Sequence, residues 1–520
     1  MTDHPAREKG LNFLELNCAK HPNKPILIGP ARNLSYGQLR DRARTLAQAL
    51  YGLGVRPGDQ VAIMSYNLPE VLEIRNALTY LEVGPVLVGY ALQAPEIEYI
   101  VENSDSKLLI FWHEFGDRIL PNRDNYKKTL PQGLISFGGP PLEGALDYEG
   151  LFPTPAPLDL DNLPPAEKAG NSMIYTSGTT GRPKGAGRST DFTSKPGVME
   201  YVMASIKFFG YHEDEIHLVC CPLYHSAPSY FSNISSMLGG TLLYQPRFYP
   251  EQFLELVAKH KVTSAFLVPT MVSRLLKVPK EFTDKLDLSS LRAVIVGSAP
   301  LFPEHKLAFL ERFGPCLFEF YGATETGINT SITPQEIKER PTSVGKAFAN
   351  NELVIYDDDW NEVADGERGT LYMYNPLVMD GYYKNEKATR DSHRDKYITA
   401  GDVAIRDSEG FYYIVDRIKD MIIRGGVNIY PAEIEAVLIK ISEIEDVAVV
   451  GRTDSELGET VAAFVVLNSE ALISEDEIRE FCAGELANYK IPKTIVFIQE
   501  LPRNPTGKIV KRELREQLDS

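Results

Sequence analysis

"LRAVIVGSAPLFPEHKLAFLERFG", Leu291 to Gly314, passes from a Val/Ile-rich run through a turn at Gly297 to Pro300 into an amphipathic stretch. A short apolar run bounded by turn residues reads as a strand, and helically spaced apolar residues after proline read as a helix. "DQVAIMS", Asp59 to Ser65, followed by "PEVLEIRNALTYLEVG" repeats the pattern, with the helix expected to stop at Gly84. Strands and helices alternating in this way predict an α/β architecture.

The chain has 520 residues, and at roughly 100–200 residues per domain that predicts two to four units. Beyond "YYIVDRIKDMIIRGGVNIY" the texture changes to a compact α+β unit of about 100 residues. We therefore read residues 1–417 as a large N-terminal multi-sheet α/β domain and 418–520 as a small, mobile α+β C-terminal domain. In the latter, Pro431 opens a helix whose buried stripe is Ile434, Val437, Leu438 and Ile441. Ser474 and Glu477 form a capping box before a second stripe of Ile478, Phe481 and Cys482. "PTPAPLDLDNLPPAE", Pro153 to Glu167, reads as a Pro-rich linker.

A formal charge of -17 argues against a general nucleic-acid or anionic-membrane binder, which needs a basic excess. Any anionic ligand must be met by locally placed cations and backbone amides. Five cysteines without metal-ligand or CxxC spacing fit a reducing cytoplasm. The first residues lack the apolar core of a signal peptide, and the most apolar stretch, Val83 to Leu92, is too short to span a bilayer.

Directly after the linker comes "YTSGTTGRPKGAGRS", Tyr175 to Ser189. It fails the Walker pattern, because Lys184 follows Pro183 and precedes Gly185. Its glycines, including Gly178 and Gly181, nonetheless let backbone N–H groups approach a polyphosphate, with the hydroxyls of Thr176, Ser177, Thr179 and Thr180 alongside.

Four further segments follow: "PLYHSAP" (Pro222 to Pro228), "YGATETG" (Tyr321 to Gly327), "YITAGDVAIRDSEGFYYIVDRIKDMIIRGGVNIYPAEIE" (Tyr397 to Glu435) and "PRNPTGKIVKREL" (Pro502 to Leu514). In this order, over nearly the whole chain, they resemble the adenylate-forming superfamily of acyl-CoA synthetases, adenylation domains and luciferases. The resemblance implies ATP-dependent activation of a small-molecule carboxylic acid through an acyl-adenylate, then transfer to coenzyme A with release of AMP and pyrophosphate. Transfer to a carrier-protein phosphopantetheine, other adenylate chemistry, and a non-catalytic nucleotide sensor are the rival readings. A homodimer is left open.

The same resemblance assigns the β and γ phosphates to the glycine-rich loop, Lys184 included. It sets Tyr321 and Gly322 against adenine, with Ser298, Ala299 and Pro300 at its edge. Thr324 falls on the α-phosphate, Glu325 on Mg²⁺, Asp402 on the ribose and Arg417 at the ribose and α-phosphate. Lys508 would bridge the carboxylate and α-phosphate, and His225 would gate the carboxylate side. Lys419 is the expected hinge, and Gly425 and Gly426 the expected flank of the pantetheine thiol.

Some positions depart from the family pattern. Ala400 replaces a threonine, with Thr399 one place away, and Arg188 stands where many relatives are apolar. Pro228 replaces a commoner glycine. Counted back from Gly239, Gly240 and Thr241, Ser226 replaces the aspartate that amino-acid-activating domains use. "SAPSYFSNISSML" and "VPTMVSRLL" instead predict a largely apolar acyl pocket with a few hydroxyls, open to fatty, short-branched or aromatic acids.

Overall fold

The computed structural model describes residues 12–152, 158–160, 163, 170–176, 183–189, 195–469, 471–504 and 508–519. The opening motif appears as strand Ala293–Val296 and helix Pro303–Phe313. Thr241–Tyr244, Ile216–Val219, Ser264–Leu267, Ala293–Val296 and Leu317–Ala323 lie side by side in that order, all parallel, within a 15-stranded sheet. Ser264–Leu267 and Ala293–Val296 are buried throughout, as strands covered on both faces must be. Past Leu317–Ala323 the sheet continues antiparallel through Gly327–Ile332, Gly345–Ala347, Phe411–Arg417 and Asp402–Arg406.

A second, 8-stranded sheet holds the parallel strands Gln60–Met64 and Gly84–Val88, with the hairpin Asn171–Thr176 and Lys184–Ser189 toward one edge. The rest of the chain forms a 5-stranded sheet built on the long hairpin Ile444–Asp454 and Gly458–Leu467. Helices Pro431–Leu438 and Glu475–Glu485 cover it, burying Ile434, Val437, Leu438, Ile478 and Cys482 against Val447, Val449 and Val461. This is a large α/β part with two sheets followed by a small α+β part. Among the described residues no helix is long and apolar enough to cross a membrane.

Two local expectations are corrected. The helix predicted to stop at Gly84 ends at Tyr80, because Glu82 takes a left-handed φ of 54° and turns the chain so that Gly84 opens a strand. The Ser474/Glu477 capping box forms, and Ile478 and Cys482, one turn apart, fill the buried stripe while Phe481 stays 38% exposed at its margin. Most of the Pro-rich stretch lies outside the described residues.

All five cysteines are unpaired and buried. Cys220 and Cys221 both donate to the Phe266 carbonyl, and the Cys220 contact together with burial pushes the Cys221 thiol well above its ordinary range. Replacing either by Ala should cost about 1 kcal/mol of stability through lost packing and leave turnover within about twofold. Denaturant unfolding with steady-state rates checks this, and an acyl group trapped on either sulfur would contradict it.

Candidate active site

Open α/β sheets leave their binding crevice at the carboxyl ends of parallel strands. Here Asn171–Thr176 runs into 177–182, Ile216–Val219 leads to His225, Ala293–Val296 to Ser298, and Leu317–Ala323 to Thr324 and Glu325. A Cβ on Gly322 would lie 2.0 Å from the Gly327 carbonyl, so only glycine lets this hairpin close and carry Thr324 and Glu325 at its tip. Ser298 holds a left-handed φ of 75°, a strained conformation for a residue with a side chain. Ala299 is half-buried and Pro300 exposed.

Asp402 is 4% exposed and faces Arg417 across an antiparallel pair of strands. Its Oδ2 accepts from the Tyr321 hydroxyl at 2.5 Å and its Oδ1 from Arg417 Nε at 2.9 Å. Burial, reinforced by the Asp402 charge, pushes the Tyr321 hydroxyl well above its ordinary 10, so it is a neutral donor. A carboxylate has about four lone-pair sites, which leaves two for further hydroxyl donors. Just before Asp402, the Thr399 hydroxyl accepts from Gly401 N at 3.0 Å and donates to the Leu371 carbonyl at 2.8 Å, fixing the turn without a hydroxyl at Ala400.

Glu325 Oε1 accepts from the hydroxyls of Thr176, at 3.2 Å, and Tyr382, at 3.0 Å. Lys184 sits 5.2 Å above the Tyr382 ring. The Thr324 hydroxyl meets Ser226 Oγ at 3.2 Å. His225 precedes the helix Ser226–Met237 with its ring 4.1 Å from Tyr224, and its Nε2 is buried without a hydrogen-bond partner among the described residues. Burial and the Lys508 charge pull the imidazole down to about 3, so it is neutral.

Lys508 reaches this group from the far end of the chain. Its backbone is clamped by Asn504, whose Oδ1 accepts from Lys508 N at 2.9 Å while Asn504 N donates to the Lys508 carbonyl at 2.8 Å. Burial and then Arg417 lower the ammonium, Asp402 and Glu325 oppose this, Lys419 lowers it further, and the balance is about 8. Among the described residues it forms no ion pair. Lys419 lies in a short 3₁₀ turn, Ile418–Asp420, exposed as a residue, its pKa lowered by partial desolvation and by Arg417. Gly425 and Gly426, φ 57° and 80°, form the tip of the hairpin Ile422–Arg424 and Val427–Ile429, exposed to solvent.

Contacts and neighbouring charges join Thr176, Lys184, His225, Tyr321, Thr324, Glu325, Asp402, Arg417, Lys419 and Lys508 at these strand ends, Gly322 lies in the same hairpin, Ser298, Ala299 and Pro300 follow the adjacent strand, and among the described residues no hydrogen bond joins Gly425 or Gly426 to them. Ser177, Gly178, Thr179, Thr180 and Gly181 lie outside the described residues. Tyr382 was missed by sequence reasoning. Its only signal is an aromatic pair after glycine in "MDGYYKN", 57 positions from the glutamate that it contacts.

The family described as AMP-binding enzyme matches residues 14–383, and its C-terminal domain matches 433–508. The chain belongs to the AMP-binding enzyme family. Among the relatives of this AMP-binding enzyme is a feruloyl-CoA synthase of Amycolatopsis sp, 33% identical over 98% of this chain and 99% of its own. An indoleacetate–CoA ligase of Aromatoleum aromaticum is 31% identical over 97% of each. An o-succinylbenzoate CoA synthetase from Bacillus subtilis, solved with its acyl-adenylate intermediate, superposes with a TM-score of 0.81 at 27% identity, covering 98% of both chains.

His225 gives this AMP-binding enzyme a pH signature. Its folded pKa, about 3, lies below the ordinary 6.5. The unfolded chain therefore binds a proton that the folded one excludes, so this contribution is complete above pH 6.5 and is lost as pH falls toward 3. His225→Asn should flatten that acid limb in urea unfolding, and the His225 ring resonances should not titrate between about pH 8 and pH 5.

Proposed function

We infer that the protein is an acid–thiol ligase. It activates a carboxylic acid with ATP, releasing pyrophosphate, and passes the acyl group from the adenylate to coenzyme A, releasing AMP. The observation that carries this is the Lys508 ammonium, without an ion pair among the described residues, near the Asp402, Arg417 and Glu325 charges. A carboxylate attacking a triphosphate brings like charges together, so the step needs positioning and charge neutralisation rather than a side-chain nucleophile.

In this reading Lys508 spans the incoming carboxylate and the α-phosphate, and Thr324 donates to the latter. Asp402 takes the ribose hydroxyls on its remaining lone pairs, and Arg417 balances its charge. The unpartnered Nε2 of His225 faces the reacting carboxylate. Mg²⁺ fits Glu325: Oε1 is occupied by two hydroxyls while Oε2 has no partner among the described residues, and one carboxylate with substrate phosphates is a normal Mg²⁺ shell. The metal would neutralise phosphate charge as the bond forms. The stretch "SAPSYFSNISSML" carries aromatic residues, and two relatives are named for aryl acids, so we propose an aryl or similarly apolar acid. Five unpaired cysteines support a cytoplasmic setting.

We further propose that the chain divides at 417/418 and that the small part turns about Lys419. Lys508 faces the crevice here while Gly425 and Gly426 face solvent, the arrangement that the first half-reaction needs. Rotation would bring the glycine hairpin to the thiol.

The test is pyrophosphate release over a panel of carboxylic acids, aryl acids first, with and without coenzyme A. Release that never consumes coenzyme A would move the second step to another acceptor, and no release with any acid would overturn the reading. Lys508→Ala should raise the adenylation barrier by about 3–4 kcal/mol, roughly 10²–10³ in rate, and spare thioester formation from supplied acyl-adenylate. Because the ammonium is charged only below its pKa, kcat/KM for adenylation should fall as pH rises through about 8. Lys419→Pro fixes φ at the hinge, so single-turnover pyrophosphate release should stay near wild type while coenzyme A consumption collapses.

A further inference from the structure

Arg188 is the one departure from the family pattern that carries a new charge into the crevice, and the functional reading above leaves it unused. It lies half-buried on strand Lys184–Ser189. No carboxylate comes within ion-pairing range of it among the described residues. The two nearest acids are engaged elsewhere: Glu325 Oε1 with Thr176 and Tyr382, and Asp380 with Ser189 N and Lys195. Its guanidinium instead donates through Nη2 to the Thr324 carbonyl at 2.5 Å and through Nε to the Leu377 carbonyl at 2.8 Å. Neither carbonyl has another donor among the described residues.

These bonds complete a pattern. The Glu325 carbonyl accepts from Met379 N at 2.8 Å, and the Thr326 carbonyl accepts from the buried Asn375 Nδ2 at 2.7 Å. Three consecutive carbonyls, Thr324, Glu325 and Thr326, are thus each held by a separate donor. Two of those donors come from the 375–379 segment, and Arg188 ties that same segment to the third. An apolar residue at 188 would orphan the Thr324 and Leu377 carbonyls and free the first of the three peptides, while Met379 and Asn375 still hold the other two.

We propose that Arg188 is a positioning residue, which fixes the backbone of Thr324 and Glu325 against the 375–379 segment and so aims their side chains at the α-phosphate and Mg²⁺. The assignment rests on the functional reading above for what those side chains meet.

The test compares Arg188→Leu and Arg188→Lys with wild type in single-turnover pyrophosphate release, KM for the acid, ATP affinity by calorimetry, and thermal unfolding. A misplacement of the order of 1 Å costs about a hundredfold, so Arg188→Leu should slow adenylation about ten- to a hundredfold and weaken ATP several-fold, with the acid KM within about twofold. Arg188→Lys, which can reach one carbonyl, should recover part of both losses. A change confined to the acid KM would make Arg188 a binder of the acid's tail and overturn the proposal. So would losses that merely track the folded fraction, or no change at all. A wild-type protein that binds ATP but releases no pyrophosphate with any acid would sink the functional reading alone, leaving ATP affinity in the two variants to decide on Arg188.

Discussion

The bond between Asp402 and its two partners is the constraint on which the crevice rests. Tyr321 ends the parallel part of the large sheet, and Arg417 is the last residue of the strand that leads to the small part of the chain. One buried carboxylate ties the two; removing Arg417 would leave the Asp402 charge without its ion-pair partner, at a cost reduced by solvent because the Arg417 side chain is itself 36% exposed. What Asp402 does not give to Tyr321 and Arg417 is what it can offer a ligand.

Around that acid the chain concentrates cations. A protein with a formal charge of -17 brings Arg188, Arg417, Lys419 and Lys508 to one crevice. They act against one another: Arg417 lowers the pKa of both Lys508 and Lys419. An anion placed among them would offset that mutual repulsion, and it is nearness rather than burial that favours these cations over the more distant surface acids, since Lys419 is exposed and Arg188, Arg417 and Lys508 are partly so.

What the sequence disclosed follows the range of the interactions. The strand–turn–helix of Leu291 to Gly314 depends on local spacing and stood as read. The end of the helix before Gly84 did not, because a glutamate rather than a glycine took the left-handed turn. Phe481 obeyed helical spacing but fell at the edge of a stripe that Ile478 and Cys482 already filled. The contiguous motifs supplied the candidates, while Tyr382, Met379 and Asn375 stayed hidden, because their contacts join segments about fifty positions apart and, for Met379 and Asn375, use backbone carbonyls that any residue could supply. Arg188 was visible only as an oddity until its two acceptors were seen.

The three tethered carbonyls of Thr324, Glu325 and Thr326 also bear on the thermodynamics of the nucleotide capture proposed above. Ordering a residue's backbone costs roughly 1–2 kcal/mol of conformational entropy. In a loop already held at each peptide, that loss falls on folding rather than on the encounter with ATP. A nucleotide meeting such a loop has little chain freedom left to suppress there, so the free energy of its contacts passes into affinity and alignment instead of being absorbed by a moving backbone.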